Sequence, residues 1–412
     1  MAKRVRKFVD RAFARTVDLD LLHRLLAPYL GQIGFDWKEL PDDDSEMRET
    51  IFRLFQSADT RFPAQLQFAL FNISILSTEP GARQIQEIAA EADIDVLAGI
   101  ITGSKTEDDR FTPRFIALRA WLDYRQIFER ALSAAAFWSY STKLERDADR
   151  EDAEPLHHDP TVQSAFAEAA RVHFASRYDG RYCDVRWYDE DDLVKVLVLH
   201  GSKPDTKNVD KNGAEDKVTF REIVQSTVEY DQVRGSVSVG SKSATDAKKL
   251  VKIFGDHVLG DPEIFEASAK EELYMLEPLK RQGSRFRFRF DPEGDITHVM
   301  LREVRIDEGQ RKVNGRTHRS PWLMTLRDSE NALRRLNDLA PDIELADIRI
   351  VQAKIDVSID VDGNETVVPV TIKPPRLVSM RDHSHERLIL DMLELNDIRK
   401  ASRSRQISAA AE

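Results

Sequence analysis

The sequence predicts an α+β protein: a helical N-terminal domain followed by a mixed, mainly antiparallel β-rich domain that contains a few helices. In the first part of the chain, apolar residues recur every three or four positions, which is typical of amphipathic helices. Beyond about residue 180 the spacing changes to two, in segments rich in β-branched and aromatic residues, which is typical of strands. A length of 412 residues allows two or three domains.

The first part of the chain reads as a series of short helices. The acidic run at 42–44 predicts a helix start, because carboxylates cap backbone N–H groups and complement the helix dipole. A further helix is expected after Pro63, where another apolar face begins. The longest helix is predicted to run from about Pro113 to Glu145.

The second part reads mainly as strands. Two segment pairs, 226–240 and 286–301, have the pattern of antiparallel hairpins, and each is later followed by a helix. Helices are predicted near 246–258, 329–339 and 385–395. The polar, glycine-containing segment 201–216 is predicted to be a mobile loop.

These patterns predict four regions along the chain. They are a helical domain at 1–145, a polar linker with a connecting helix at 146–180, a β-rich domain at 181–398 and a disordered tail at 399–412. The linker is placed where the sequence between Lys143 and Pro160 becomes almost wholly polar. Within the β-rich domain, the hairpin-then-helix order suggests two related units, 181–275 and 276–398.

Cysteine usage and hydropathy favour a protein of a reducing compartment. Cys183 is the one cysteine, so the chain has no internal disulfide and no CxxC pair for zinc. The longest apolar stretch, 96–101, is far shorter than the roughly 20 residues that cross a bilayer. No apolar stretch of about seven or more residues follows the basic start, so a signal peptide is not expected. We expect a cytoplasmic protein without a membrane span.

The charge is acidic overall and in both parts of the chain. The net charge is −11. Residues 1–178 contain 23 Lys and Arg against 29 Asp and Glu, and residues 179–412 contain 38 against 43. Any surface that binds nucleic acid must therefore be local.

One window, Lys280 to Arg319, is basic within this acidic chain, with 11 Lys and Arg against 6 Asp and Glu. If 285–290 is a strand, its arginines share one face and its phenylalanines the other. The arginine row could then contact successive phosphates of a nucleic acid. The alternative is an amphipathic strand with phenylalanine in the core and arginine in water. The predicted nucleic-acid-binding residues are Lys280, Arg281, Arg285, Arg287, Arg289, Arg311, Lys312, Arg316 and Arg319.

A second pattern suggests an enzyme. Pro341 and Asp342 are followed, after nine residues, by Gln352-Ala353-Lys354. This order resembles the PD-(D/E/Q)xK signature of metal-dependent nucleases. The resemblance implies that Asp342 and Gln352 hold Mg²⁺ and that Lys354 orients the attacking water. The alternative is the exposed polar face of an ordinary strand.

Histidine clusters occur at 157–159, with His173 further on, and at 382–386. Neither cluster has the HExxH spacing that places two imidazoles on one helical face, and both suit helix-capping loops. We therefore expect no metal site from the sequence. Cys183, within a predicted strand, is expected to fill the core rather than act as a nucleophile.

The favoured interpretation is a non-catalytic component, without a cofactor, that binds nucleic acid or a protein partner through the 280–319 window. The first alternative is a Mg²⁺-dependent nuclease that uses Asp342, Gln352 and Lys354. The second is a scaffold that binds only proteins. Whether the chain is an enzyme stays open at this point.

Overall fold

The structure is a computed structural model. It describes residues 8–97, 112–137, 140, 142–150, 153–178, 180–190, 192–211, 213–308, 311–313, 316–318, 322–339, 348–361, 364–380 and 385–401. Backbone contacts divide the chain into two units, residues 1–136 and 137–412. Helices fill the described part of the first unit, and the second contains two antiparallel sheets, so the protein is α+β.

The helices of the first unit surround one apolar core, in which Phe55 and Leu70 are fully buried. They are α1 (Arg11–Thr16), α2 (Leu19–Leu26), α3 (Leu30–Ile33), α4 (Asp44–Gln56), α5 (Ala58–Arg61), α6 (Ala64–Leu76), α7 (Glu79–Glu91), α8 (Pro113–Asp123) and α9 (Arg125–Phe137). The start predicted from the acidic run is confirmed, because Asp43 accepts a hydrogen bond from the Glu46 N–H at 2.9 Å.

The prediction of one helix from Pro113 to Glu145 is wrong. Tyr124, with φ −133° and ψ 55°, lies outside the helical region and separates α8 from α9. α9 then ends at Phe137, and the chain continues into a strand at Leu144–Asp147.

The first sheet of the second unit has five antiparallel strands in the order β1-β5-β4-β3-β2. They are β1 (Leu144–Asp147), β2 (Cys183–Glu190), β3 (Leu193–Lys211), β4 (Ala214–Asp231) and β5 (Ser236–Gly240). Helices α10 (Pro160–Tyr178) and α11 (Ala244–Val258) contribute to the same apolar core as the sheet, through Phe166 and Phe254. The predicted hairpin of β4 and β5 and the predicted helix near 246–258 are confirmed.

Residues 201–216, predicted as a mobile loop, instead lie in a hairpin extension of β3 and β4. The ladder pairs Pro204 with Arg221 and continues to Lys211 and Ala214. Polar side chains can occupy a ladder whose faces are both exposed, because the backbone supplies the pairing. The outer part of this extension is largely exposed.

The second sheet also has five antiparallel strands, in the order β12-β11-β10-β6-β9. They are β6 (Ile296–Asp307), β9 (Met324–Arg327), β10 (Arg349–Val361), β11 (Asn364–Lys373) and β12 (Leu377–Met380), while β7 (Arg311–Val313) pairs with β8 (Arg316–His318) apart from the sheet. The helices near it are α12 (Glu277–Gln282), α13 (Arg335–Leu339) and α14 (Glu386–Leu395). Whether the two predicted β-rich units are related stays a prediction.

The hairpin predicted at 286–301 does not form. Residues 286–290 have no strand assignment, and β6 pairs with β10 and β9 instead. The backbone of Arg289 bonds to a side chain rather than to a strand: its N–H donates to Asn396 Oδ1 at 2.8 Å and its carbonyl accepts from Asn396 Nδ2 at 2.7 Å. The inside–outside alternation is retained, because Phe286 is buried and Arg287 is exposed.

The described parts of the segments predicted as polar linker and disordered tail make contacts within the second unit. β1 pairs with β5, from Leu144 opposite Val239 to Asp147 opposite Ser236. Arg399, the first residue of the predicted tail, has a relative exposure of 1%. Hydropathy did not predict the pairing of β1 or the burial of Arg399, because both segments are rich in charged residues. Residues 402–412 lie outside the described residues.

Candidate anion-binding cleft

β1 separates two different charged environments, because alternate residues of a strand face opposite sides. Leu144 and Arg146 face a cleft beside α11. Glu145 and Asp147 face Arg399, which follows α14. One short edge strand therefore contributes a cation to one side and two carboxylates to the other.

The cleft encloses about 240 Å³ and is lined mostly by cations and apolar groups. Its floor includes Val251 and Phe265, and its charged lining residues are Arg146, Lys248, Lys252, Arg376 and Glu266. Among the described residues, four cationic side chains and one carboxylate therefore line this space. A volume well above the roughly 10–15 Å³ that one water needs leaves room for a phosphate group and its waters.

Arg146 is the most deeply buried cation of the cleft, with a relative exposure of 7%. Its Nη1 donates to the carbonyl of Glu145 at 2.7 Å, and no carboxylate in the described part of the chain forms an ion pair with it. Burial, and then the nearby positive charge of Arg376, lower the pKa of the Arg146 guanidinium from its ordinary value, while the charges of Glu266, Asp147 and Glu145 act in the opposite direction. Because arginine stays protonated in proteins, a bound anion would further stabilise this buried charge.

Arg376 is positioned by the turn between β11 and β12. Its Nε donates to the carbonyl of Glu271 at 2.9 Å. The carbonyl of Pro375, in the same turn, accepts from the N–H groups of Leu273 and Tyr274 at 2.8 and 2.9 Å. These bonds fix the guanidinium against the segment that precedes α12.

Lys248 and Lys252 come from one face of α11, since residues four apart lie one above the other on a helix. Ser243 caps this helix by accepting a hydrogen bond from the Asp246 N–H. Both lysines are exposed, and neither forms an ion pair with any residue that the structure describes. Lys249, between them in sequence, is also exposed but does not line the cleft.

The other face of β1 contacts a network of buried ion pairs, which joins parts of the fold rather than forming a ligand site. Arg399 bonds to Glu145 and to Glu394, and Arg234 Nη1 donates to Glu394 at 2.9 Å. Burial raises the pKa of Asp147 to about 6, although Arg399, 3.6 Å away, acts in the opposite direction. Arg399, Arg234, Glu145 and Glu394 pair with one another, whereas Asp147 Oδ1 has no hydrogen-bond partner in the described part of the chain. With its arginines already paired, the network offers little to an external anion.

The first part of the predicted basic window lies on and after α12. Lys280 and Arg281 are in the last turn of that helix, and Arg285 and Arg287 are exposed. None of these four forms an ion pair with a described residue. Arg287 Nη1 donates to the carbonyls of Ser284 and Phe286 at 3.2 and 2.9 Å.

Arg289 differs from its neighbours because its side chain is partly occupied. Its Nη2 donates to the carbonyl of Leu395 and lies 3.7 Å from Asp397 Oδ2. Among the remaining predicted residues, Arg311, Lys312 and Arg316 lie in β7 and β8, and nothing is described of their side chains. Arg319 lies outside the described residues.

Two residues of the nuclease-like pattern contact the carboxylate of Glu303, which is not part of that pattern. Gln352 and Lys354 are both on β10 and both reach Glu303 Oε1, at 3.4 and 3.1 Å. Arg327 Nε also donates to Glu303, at 2.8 Å. Burial opposes ionisation of Glu303, but the bonds from Arg327 and Lys354 outweigh it and hold its pKa below the ordinary value. Asp342 lies outside the described residues, and the nuclease stays a prediction.

The remaining sequence candidates have defined surroundings. Asp159 caps α10, since its Oδ1 accepts from the Thr161 N–H at 2.7 Å, and His173 Nε2 lies 2.9 Å from Asp246 Oδ1. Most of the cluster at 382–386 lies outside the described residues. Burial raises the pKa of the Cys183 thiol to about 11, which disfavours a nucleophilic role.

Sequence reasoning missed the cleft because its charged residues come from four distant segments. The one local signal was Lys248 and Lys252, two lysines four residues apart on a predicted helix. In the described part of the chain, no helix combines the length and apolar character that a bilayer crossing needs. No protein-family model matches this chain and no curated protein matches it, so its function has to be inferred from its own residues.

Proposed function

We propose that this chain is a cytoplasmic, non-catalytic component that binds nucleic acid by its phosphate groups, with the cleft beside β1 as the principal contact. The observation that carries the proposal is the convergence of Arg146, Arg376, Lys248 and Lys252 on one space, where Glu266 is the one carboxylate among the described residues that line it. Single-cysteine usage supports the compartment.

The geometry of the cations favours a phosphate ligand. Two arginines at fixed positions present planar donor sets that match phosphate oxygens, while two flexible lysines add charge at the exposed rim. The ligand would offset the cost of keeping Arg146 buried without a carboxylate partner. A sequence-independent polyanion suits this donor set, because arginine and lysine side chains contact phosphate oxygens whatever the base sequence.

Arg285 and Arg287 provide a second contact for the phosphate groups of a nucleic acid. Both are exposed and lack an ion-pair partner in the described part of the chain. Such exposed cations add affinity by releasing counterions from the nucleic acid. They are separate from the cleft lining, so the two contacts can be tested independently.

The proposal is tested by titrating the full chain with labelled single-stranded and double-stranded DNA and RNA at two salt concentrations, with Mg²⁺ present. We expect binding that weakens steeply with salt and leaves the oligonucleotides at full length. Arg146→Gln and Arg376→Gln should weaken binding about tenfold or more, since charged hydrogen bonds contribute roughly 1.5–3 kcal/mol each. Arg285→Ala with Arg287→Ala should weaken it by less.

Two results would contradict this account. Absence of binding to all four ligands at low salt would exclude the nucleic-acid role and favour the protein-binding alternative. Mg²⁺-dependent shortening of an oligonucleotide, lost in Lys354→Ala, would replace it with the nuclease alternative. Thermal unfolding of each variant, compared with the parent chain, separates loss of binding from loss of fold.

A further inference from the structure

The loop before α10 and the end of β2 bring three metal-binding side chains together. His157 and His158 belong to the loop, and Asp189 belongs to β2. One potential ligand atom from each residue lies within 4.8 Å of the other two. Asp189 is 32 positions away from His157 in sequence, so the cluster has no sequence motif.

Both ring nitrogens of His157 lie close to oxygen atoms. Its Nδ1 lies 3.1 Å from the carbonyl of Pro155, and its Nε2 lies 2.8 Å from Asp189 Oδ1. The carbonyl of Pro155 can only accept, so Nδ1 carries the hydrogen of that bond. Nε2 is then the ring nitrogen that could coordinate a metal ion together with Asp189 Oδ1.

This bond to Pro155 is also the support that metal-binding histidines commonly have, with one nitrogen on the metal and the other donating to a backbone carbonyl. The loop itself is held in place. The Leu156 N–H donates to the Val258 carbonyl at 2.9 Å, and Gln163 Nε2 donates to the His157 carbonyl at 2.8 Å. His157 is therefore a fixed, buried ligand, with a relative exposure of 5%.

The other two side chains of the cluster, those of His158 and Asp189, are open to solvent. The side chains of His158 and Asp189 are 78% and 50% exposed, and His158 Nδ1 lies 3.7 Å from Asp189 Oδ2. We propose that His157, His158 and Asp189 form a binding site for a divalent transition metal such as Zn²⁺, with water completing the coordination. Two imidazoles and one carboxylate favour Zn²⁺ or Co²⁺ over Mg²⁺ and Ca²⁺, which prefer oxygen ligands.

The test is isothermal titration of the full chain, first freed of metal with a chelator, with ZnCl₂ and separately with MgCl₂. We expect one Zn²⁺ per chain bound through this site and no comparable binding of Mg²⁺. His158→Gln and Asp189→Asn, both at exposed positions, should each weaken Zn²⁺ binding at least tenfold while thermal unfolding shows that the fold is retained. Co²⁺ should give visible absorption bands that these variants lose.

His257→Gln is the matched control, because His257 also lies near a carboxylate, 3.9 Å from Asp256, but outside the cluster. It should leave Zn²⁺ binding unchanged. The proposal is overturned if the parent chain binds no Zn²⁺, or if His158→Gln and Asp189→Asn bind it as tightly as the parent. No nucleic acid is needed, so this result is independent of the proposed function.

Discussion

Arg399 Nε lies 3.2 Å from Glu145 Oε1, which joins the residue after the last helix to the edge strand of the first sheet across 254 positions of sequence. Both side chains are buried. Tyr274 donates to Glu145 from the segment between the two sheets. Parts of the second unit that are distant in sequence therefore meet at one set of buried charges.

Replacing Arg399 should strongly destabilise the protein. Arg399→Met leaves Glu145 and Glu394 buried without their cation, and breaking a buried pair costs roughly 3–5 kcal/mol. Urea unfolding followed by circular dichroism measures this loss. Lys400→Met is the control, because the Lys400–Glu271 pair is over a third exposed and should contribute less than about 1 kcal/mol. Equal losses of stability in the two variants would show that the buried ion pairs of Arg399 contribute no more than the exposed Lys400–Glu271 pair.

Asp147→Asn should stabilise the protein at neutral pH. Folding raises the pKa of this carboxyl to about 6, chiefly by burial, so its protonated form is favoured in the folded state. The contribution of Asp147 to stability is therefore greatest below about pH 4 and is lost as pH rises to about 6, by at most roughly 3 kcal/mol. The variant should lack this fall. Unfolding curves from pH 4 to pH 8 check the prediction, which is wrong if Asp147→Asn is less stable than the parent at pH 8.

Gly255→Ala should loosen the wall of the cleft. A Cβ at this helix position would lie 2.8 Å from the Asp261 carbonyl oxygen and 3.2 Å from Ile264 Cγ2, in the segment that leads into the cleft lining. Forcing that segment outward should cost about 1–3 kcal/mol of stability and weaken ligand binding. Gly31→Ala, with nothing within 4 Å of its Cβ, should cost neither. Thermal unfolding and oligonucleotide titration compare the two variants.

Cys183 should react slowly with thiol reagents. With its pKa raised to about 11 by burial, the thiolate fraction at pH 8 should be roughly a hundredfold below that of an ordinary thiol with pKa near 9. Iodoacetamide labelling of the folded chain, followed by mass spectrometry, measures the rate. Labelling as fast as that of free cysteine would reopen the nucleophile hypothesis.

Periodicity predicted the elements that bury one apolar face. β10 and β11 alternate as expected, and α11 and α14 lie where the spacing of three and four places them. The pattern failed where pairing depends on the backbone alone. The β3 strand of the extension, residues 204–211, is almost wholly polar, so hydropathy does not distinguish it from a loop, although Val218 and Phe220 lie on the β4 strand opposite it.

Distant contacts account for the other differences. Residues 286–290 have the alternation of a strand. However, the side chain of Asn396, more than a hundred positions away, forms hydrogen bonds with the backbone N–H and carbonyl of Arg289. The cleft likewise depends on Arg146 and Arg376, which neither composition nor spacing relates to each other. Local sequence therefore predicted the basic window, and tertiary structure added the cleft.

The charge of the cleft is tested most directly by the salt dependence of oligonucleotide binding in Lys248→Gln/Lys252→Gln, with Lys249→Gln as the control from the same helix. Each lost phosphate contact should lower the slope of log K against log salt by about 0.7 for a single strand and about 0.9 for a duplex. We predict that the double variant loses close to two contacts and that Lys249→Gln retains the parent slope. Equal slopes in the parent and the double variant would contradict binding in the cleft.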